Sequence, residues 1–279
     1  MLEKSIPVLV FLLMLIVGAN LKYADLRAIV KRPVVLLLAT LGQALILPSI
    51  AWLLITLTEP PTSTAIGLLL VSFCPGGAIS NIYSFFAKVN VGFSITLTTV
   101  NSLLSVILLP IILSTVFSSL VPVSAGLETL IKSQSLQLAF LILCPVILGM
   151  LLRYFQTDLM TKIMPALERI GALGLLLLLL SIFIQFQDKI AEQFSILVIL
   201  ATLFTVASII AACLFCYLLS LNKADSGALI IEFPVRNLAL VSMVAVSMFN
   251  NSEYLLFAAV FFVVQTPIML IITLWYRFK

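Results

Sequence analysis

Residues 65–87 read AIGLLLVSFCPGGAISNIYSFFA, an apolar run of membrane-spanning length that is broken at its centre by the Pro-Gly-Gly of 75–77. Proline has no amide proton to donate and paired glycines favour unwinding, so a regular helix is not expected to continue through this point. Two polar residues, Ser80 and Asn81, follow directly. Irregular backbone at membrane depth is tolerated only where it is buried in protein or lines a cavity. The run therefore predicts a broken membrane helix with a polar site at its break.

The composition of the whole chain agrees with a membrane location. Of 279 residues, 63% are hydrophobic and 9% are charged, whereas a soluble domain is about 45–50% apolar and about 25% charged. The chain therefore lacks the polar surface of a soluble enzyme, a nucleic-acid-binding domain or a disordered protein. It has no histidine, which excludes histidine-ligated metals and Ser-His or Cys-His catalysis. Its four cysteines lie in apolar runs and are interpreted as small hydrophobic residues.

Nine apolar runs are long enough to be membrane helices. None alternates apolar and polar residues as a barrel strand does, so the predicted fold class is an all-α polytopic membrane protein with a single transmembrane domain over 1–279. The first run also has features of a signal peptide, but its continuation into a basic loop favours a first span. The predicted spans are approximately 5–21, 33–57, 64–87, 91–120, 134–153, 164–187, 194–220, 224–249 and 254–276.

Positive charges are distributed unequally between the two sides of the predicted membrane. Ten cations fall on one side and three on the other, and the acidic residues favour the less basic side. By the positive-inside rule, we expect the N-terminus outside and the C-terminus in the cytoplasm of a cell (inner) membrane. The basic side carries Lys22, Arg27, Lys31, Arg32, Lys88, Arg153, Lys162, Lys223, Arg277 and Lys279, and the other carries Lys4, Lys132 and Lys189.

A second broken run, at 226–249, echoes the first. It reads SGALIIEFPVRNLALVSMVAVSMF and is interrupted at Pro234. Paired broken spans in corresponding positions of two halves indicate the binding site of a secondary transporter. Four intact spans separate the two breaks, so the broken spans are predicted to run in opposite directions, as an inverted repeat requires. The two repeats would cover about 1–120 and about 130–279.

Glu232 and Arg236 are the charged residues that lie clearly inside a predicted span. Charged groups in a membrane are costly and usually face a partner or a wet cavity. Because these two residues are four apart, they would be neighbours on a continuous helix. One interpretation is therefore a salt bridge that only holds the broken helix together, and the other is a functional site.

Hydroxyl and amide oxygens near the breaks suggest a cation site. Ser94 and Thr98 are four residues apart and share a helix face. Hydroxyls in membrane helices often only bond back to their own helix. Together with Ser80, Asn81 and Glu232, however, these two form a set of hard oxygen donors with one negative charge. Such a set suits a monovalent cation, and sodium is the natural choice, because Ca²⁺ usually gathers more carboxylates.

Four motifs at these positions resemble those of the bile acid:sodium symporter family. They are C-P-G-G-A-I-S-N at 74–81, S-I-T-L-T-T at 94–99, I-E-F-P-V-R-N at 231–237 and G-Q-A-L-I-L-P at 42–48. The resemblance covers nearly the whole chain, and its most specific part is C-P-G-G-x-x-S-N. It implies two inverted five-helix repeats, a core and a panel domain, and broken helices that cross in the core. This chain would begin at the family's second helix, which agrees with nine spans.

The resemblance also implies two sodium sites, with Na⁺ as the coupling ion and no other cofactor. The first falls on Ser80, Asn81, Ser94, Thr98 and Glu232, which all match the family in type. The second falls on Gln43, Glu232, the backbone around Phe233 and Val235, and a glutamine that is replaced here by Arg236. Phe233-Pro234 also stands where the family usually has Val-Gly.

Arg236 has two interpretations at this position. Its guanidinium could take the place of the second cation and reduce coupling to one sodium or none. It could instead point into the cavity and bind an anionic substrate, since arginine forks match carboxylates and sulfonates. We favour the first role, with partial exposure to the substrate. The candidate substrate-binding residues are Pro75, Gly76, Gly77, Arg236, Asn237, Gln265 and Thr266.

The expected function is secondary active transport, in which a small organic anion, a carboxylate or sulfonate, moves with sodium by alternating access. A sodium-independent carrier with Arg236 as its built-in cation and a membrane sensor without turnover are the alternatives. An intramembrane enzyme is disfavoured because the chain has no histidine, no G-x-S-x-G and no clustered aspartates.

The expected partners are the anion, sodium and the lipid bilayer, and neither nucleic acid nor an ATPase subunit is implied. No residue supports bile acid as the substrate, and the oligomeric state is left open.

Overall fold

Helices make up the regular structure of the part of the chain that the computed structural model describes, residues 2–20, 32–112, 144–249 and 251–279. In chain order they are α1 (Leu2–Asn20), α2 (Pro33–Thr58), α3 (Thr62–Phe73), α4 (Ile79–Phe86), α5 (Val91–Ile112), α6 (Cys144–Phe155), α7 (Thr157–Gln185), α8 (Gln187–Glu192), α9 (Phe194–Leu218), α10 (Lys223–Glu232), α11 (Leu238–Met243), a π-helical turn (Val244–Met248), a 3₁₀ turn (Ser252–Tyr254) and α12 (Leu255–Phe278). The prediction of an all-α protein is confirmed for these residues.

Four of the described helical stretches are long and apolar enough to cross a membrane. They are Pro33–Thr58, Thr157–Gln185, Phe194–Leu218 and Ser252–Phe278, and each corresponds to a predicted span. Large apolar side chains such as Trp52, Leu173 and Ile210 stay exposed on them, as expected of surfaces that face lipid. The protein is therefore a multi-pass membrane protein.

The number of nine spans stays a prediction. The predicted spans 91–120 and 134–153 extend into residues 113–143, which lie outside the described residues. The basic loop after the first span also lies outside them, as do four of the cations used to predict orientation: Lys22, Arg27, Lys31 and Lys132. The inverted repeat, its boundaries and the division into core and panel likewise stay predictions.

Helix α3 is a half-helix enclosed by protein. Every residue from Ser63 to Phe73 is buried, and α3 packs against α2 on one side and α12 on another. Aromatic side chains fill the neighbouring interior, where the ring of Phe261 lies 5.8 Å from those of Phe204 and Phe257. The carboxyl end of α3 therefore lies within the protein interior and not in lipid, which is what a broken helix requires.

Both broken spans are broken where the sequence predicts, and the two breaks lie side by side. The first separates α3 from α4, and the second separates α10 from α11. Gly76 and Arg236 form an antiparallel bridge, in which the Gly77 amide donates to the Val235 carbonyl at 2.9 Å and the Asn237 amide to the Pro75 carbonyl at 2.9 Å. Each break thus supplies hydrogen-bond partners for the backbone of the other.

The two glycines of the first break are required because the second break approaches them closely, and not because of their backbone conformation. No glycine in the described chain has a positive φ. A Cβ on Gly76 would collide with the carboxylate of Glu232, and a Cβ on Gly77 would lie 2.8 Å from the Arg236 carbonyl oxygen. Because any side chain would push the breaks apart, Gly-Gly lets the second broken helix touch the first.

Helices α1, α6 and α7 pack together beside the breaks. Helix α1 packs against α7 and also against α11. Gly18 of α1 lies against the backbone of Val146, and Gly149 of α6 lies against the backbone of Leu15. Small residues that allow such backbone contact are typical of helix packing in membranes.

A polar network ties three segments together at one end of the helices. The buried carboxylate of Asp225, near the start of α10, accepts from Arg32 at 2.5 Å, from Asn90 at 2.6 Å and from Asn222 at 2.8 Å. Asn222 also caps α10 by accepting from the Asp225 amide at 3.0 Å. The network joins the residue before α2 to the turns before α5 and α10.

Candidate functional site

Five side chains that the sequence predicts as a cation site come together beside the breaks. Thr98 Oγ1 donates to Glu232 Oε1 at 2.8 Å, and Ser80 Oγ donates to the other carboxylate oxygen. Ser94 Oγ donates to Asn81 Oδ1 at 2.8 Å, and Thr98 Oγ1 lies 3.4 Å from the same amide oxygen. Ser80 Oγ and Thr98 Oγ1 are 3.5 Å apart. We call this group the oxygen cluster: Ser80, Asn81, Ser94, Thr98 and Glu232.

Local structure explains why these residues meet. Glu232 is the last residue of α10, and Ser80 and Asn81 lie in the first turn of α4, so all three are at helix ends that face the breaks. Ser94 and Thr98 are one turn apart on α5 and lie on the same face. Helix α5 packs against both α4 and α10, and this brings its hydroxyl face to the carboxylate.

The oxygen cluster has more acceptor oxygens than protons. The Thr98 hydroxyl has one proton, yet it lies within 3.4 Å of Glu232 Oε1, Asn81 Oδ1 and the Ser94 carbonyl. Glu232, Ser80 and Ser94 are completely buried, so water does not stabilise the carboxylate, and an unpaired buried charge is costly. A small cation would satisfy the surplus oxygens and neutralise the charge.

One residue of this region was missed from the sequence. Ser84 Oγ donates to Ser94 Oγ at 3.1 Å from the next turn of α4, and it is completely buried. Its spacing of four residues from Ser80 was the available signal, since residues four apart share a helix face.

Arg236 does not form the salt bridge with Glu232 that was one interpretation of their spacing, and no hydrogen bond or ion pair joins them in the described structure. Its Nη1 donates to Gln43 Oε1 at 2.8 Å and to the Phe233 carbonyl at 3.3 Å. Its Nη2 donates to the Cys74 carbonyl and lies 3.5 Å from the Ser72 carbonyl. That interpretation is wrong because the helix ends at Glu232, so the two residues do not share a helical face.

The residues predicted for a second cation site are therefore engaged with Arg236 or with the bridge. Gln43, only 2% exposed, and Phe233 give their oxygens to the guanidinium, and Arg236 itself is 5% exposed. The Val235 carbonyl accepts from the Gly77 amide in the bridge. Glu232 belongs to the oxygen cluster instead.

A cavity of about 570 Å³ opens next to the breaks. Five of the seven candidate substrate residues line it: Gly76, Gly77, Arg236, Asn237 and Gln265. Pro75 and Thr266 are not among its described lining residues. The Pro75 carbonyl accepts from Asn237 in the bridge, and the Thr266 hydroxyl donates to the Phe262 carbonyl of its own helix at 2.7 Å.

The opposite wall of the cavity comes from α1 and α7. Leu13, Met14 and Leu175 lie there, together with Glu168. Thr99 and Ser102 of α5 line the cavity as well, and Asn81 and Thr98 belong both to its lining and to the oxygen cluster. The two sites are therefore contiguous.

Comparison with known proteins finds matches along most of the chain. The model of the Sodium Bile acid symporter family matches residues 7–193. An uncharacterized sodium-dependent transporter of Bacillus subtilis, YocS, is 24% identical over 249 residues, which is 89% of this chain and 76% of the relative.

Plant proteins give similar matches. The probable sodium/metabolite cotransporter BASS2 of rice is 28% identical over 86% of this chain and 56% of its own length. BASS1 of Arabidopsis thaliana is 29% identical over 85% of this chain and 58% of its own length. The chain thus spans little more than half the length of these plant relatives. All three relatives are named as transporters and none as an enzyme, in agreement with the sequence prediction. The chain belongs to the sodium bile acid symporter family.

Proposed function

We propose that the protein is a secondary active transporter that moves a small organic anion together with sodium. The observation that carries this proposal is the oxygen cluster, in which buried Glu232 meets the hydroxyls of Ser80 and Thr98 at the point where two helices are broken. A surplus of hard oxygens around a single buried carboxylate suits one small monovalent cation. The names of relatives, sodium-dependent transporter and sodium/metabolite cotransporter, support sodium as that cation.

The cavity beside the cluster is the proposed substrate site. Asn237 and Gln265, which carry side-chain amides, line it, and Gly76 and Gly77 form part of its wall. Amide donors can bind a carboxylate or sulfonate, while the apolar residues of α1 and α7 suit the rest of an organic molecule. The Nη atoms of Arg236 are engaged with carbonyl and amide oxygens, so Arg236 contributes positive potential more than a direct contact.

Contiguity of the two sites gives a physical basis for coupling. Asn81 and Thr98 line the cavity and also belong to the oxygen cluster. A bound cation would fix these side chains in one arrangement, and the substrate would then bind to a wall that is already ordered. By linkage, each ligand must strengthen the binding of the other by the same factor.

The position of the cavity supports transport by alternating access. One wall is formed by α1 and α7, and the other by the two breaks and α5. Movement of one wall against the other would expose the cavity to one side of the membrane at a time. We place the protein in the cell (inner) membrane, with its N-terminus outside, on the charge distribution alone.

The presence of Arg236 supports a second candidate function, that of a carrier that does not use sodium. A permanent positive charge next to the oxygen cluster could offset Glu232 without a bound ion. The two candidates differ in one measurable property, the dependence of anion binding on sodium.

Thermal unfolding of the purified protein tests both. A panel of carboxylates and sulfonates is added in NaCl or in KCl at equal ionic strength, because a ligand that binds the folded state raises the unfolding temperature. We expect at least one anion to stabilise the protein, and to do so more strongly in sodium. Equal stabilisation in both salts would favour the sodium-independent carrier.

Counterflow of the stabilising anion in proteoliposomes then separates a transporter from a sensor. A transporter exchanges labelled anion across the membrane, whereas a sensor binds it without exchange. Binding without counterflow would overturn the proposed function.

A further inference from the structure

The surroundings of the Arg236 guanidinium have the composition of a cation site. Four oxygens from three segments of the chain approach it: Gln43 Oε1 from α2, the carbonyls of Ser72 and Cys74 from the end of α3, and the Phe233 carbonyl from the second break. Backbone and amide carbonyls are the neutral ligands that hard metal ions take from proteins. No carboxylate of the described chain takes part in this set.

The hydrogen bonding of the guanidinium is incomplete. Among the described atoms, Arg236 Nε and Gln43 Nε2 are buried without a hydrogen-bond partner. A pocket built around a planar guanidinium would be expected to satisfy its five donors. The four oxygens instead surround the two terminal nitrogens of the guanidinium, as they would surround a compact ion. They leave Arg236 Nε without an acceptor.

A fixed charge here prevents a mobile cation from binding at the same place. Arginine keeps its charge under ordinary conditions, and two unit charges about 4 Å apart repel by about 4 kcal/mol at the effective dielectric typical of protein sites, a factor of about a thousand in binding. The oxygen cluster, by contrast, holds Glu232 and no cationic side chain among the described residues. It is therefore the place where a mobile cation can still enter.

We propose that Arg236 is a tethered cation that permanently fills a second cation site, so that this protein binds one sodium ion per transport cycle. The inference rests on the proposed function, since it counts the ions of a sodium-coupled carrier. It also predicts the charge that moves in each transport cycle. One sodium ion and one monovalent anion together carry no net charge. Transport of a monoanion is then independent of membrane potential, whereas one net charge per cycle would change accumulation by about fiftyfold per 100 mV.

Sodium alone is a sufficient probe of this proposal. Isothermal titration of the purified protein with NaCl, at ionic strength held constant with choline chloride, gives the number of ions bound per chain. We expect one for the wild type and two for Arg236→Gln, in which the oxygens of Gln43 and Phe233 are released and an amide oxygen is added. Arg236→Lys, the matched control, keeps the charge and is expected to bind one.

The outcomes separate this inference from the function on which it rests. Two ions bound by the wild type would overturn the inference and leave sodium coupling intact. No ion bound would overturn sodium coupling itself. A folded Arg236→Gln that binds one ion with unchanged affinity would also contradict the inference. If this variant does not fold, the wild-type count decides, together with the dependence of its unfolding free energy on the logarithm of sodium concentration, whose slope reports the same number.

Discussion

Thr98 Oγ1 lies 2.8 Å from Glu232 Oε1, although 134 residues separate the two along the chain. One residue comes from the face of an intact helix and the other from the last position of a broken one. Their contact joins α5 to the second break, because Glu232 is the last residue of α10 before that break. The break and the oxygen cluster are one feature of the fold.

Replacement of Thr98 by valine tests the contribution of a single hydroxyl. Valine keeps the shape but removes one oxygen from the cluster, so we expect sodium affinity to fall by about 1–1.5 kcal/mol, roughly fivefold to tenfold. The sodium concentration for half-maximal thermal stabilisation measures this. Thr205→Val is the matched control, since the buried Thr205 hydroxyl donates to the Ala201 carbonyl of its own helix at 2.7 Å. Equal shifts in both variants would contradict a role for Thr98 in ion binding.

Glu232→Gln removes the negative charge of the oxygen cluster and keeps its size. Because the carboxylate is completely buried, loss of its charge removes most of the attraction for a cation, and we expect sodium affinity to fall by about 1.5–3 kcal/mol, roughly tenfold to a hundredfold or more. Titration of the unfolding temperature with NaCl is the measurement. The folded state is expected to persist, because a neutral amide is cheaper to bury than an unpaired carboxylate. Sodium stabilisation that is unchanged would place the ion elsewhere.

The sequence predicts the breaks and the oxygen cluster because both depend on local spacing. Pro-Gly-Gly at 75–77 interrupts a helix wherever it occurs, and residues 94 and 98 share a face of any helix. The family resemblance then assigned the same residues, and the structure brings them together. Local rules were sufficient here because Glu232, Ser80 and Asn81 lie within a turn of a break, while Ser94 and Thr98 are one turn apart on a single helix.

The orientation of the Arg236 side chain could not be predicted from local spacing. Spacing placed it next to Glu232, but the helix ends between them and the guanidinium turns to Gln43 of α2, 193 residues away in sequence. One partner of Asp225 is equally distant, since Arg32 is also 193 residues from it. Such contacts depend on how helices pack, and no periodicity within one segment encodes them.

Gly76→Ala tests why the first break contains paired glycines. The new methyl group would meet the Glu232 carboxylate, so either the breaks separate or the carboxylate leaves the cluster. We expect a loss of stability of about 1–3 kcal/mol together with loss of the sodium-dependent part of the unfolding temperature. Gly92→Ala is the matched control, because its Cβ would meet only Asn90 Oδ1, at an ordinary 3.5 Å. A Gly76→Ala protein with normal sodium binding would contradict the close-approach argument.

Asp225→Asn tests the network at the end of the helices. The side chain of Asp225 is 1% exposed and accepts from Arg32, Asn90 and Asn222. An asparagine keeps the shape but turns an amide toward these donors, and Arg32, whose side chain is 54% exposed, would be solvated after the change. We therefore expect unfolding to become easier by about 1.5–3 kcal/mol, the contribution of hydrogen bonds to a charged group. Glu253→Gln is the comparison, because the Lys189–Glu253 pair at 2.6 Å is solvated, with side chains 47% and 26% exposed. An exposed pair contributes about 0–1 kcal/mol, so thermal or denaturant unfolding should separate the two variants clearly. Equal effects would mean that Asp225 only occupies space between α2 and α10, and that its charge does not hold the residue before α2 to the rest of the fold.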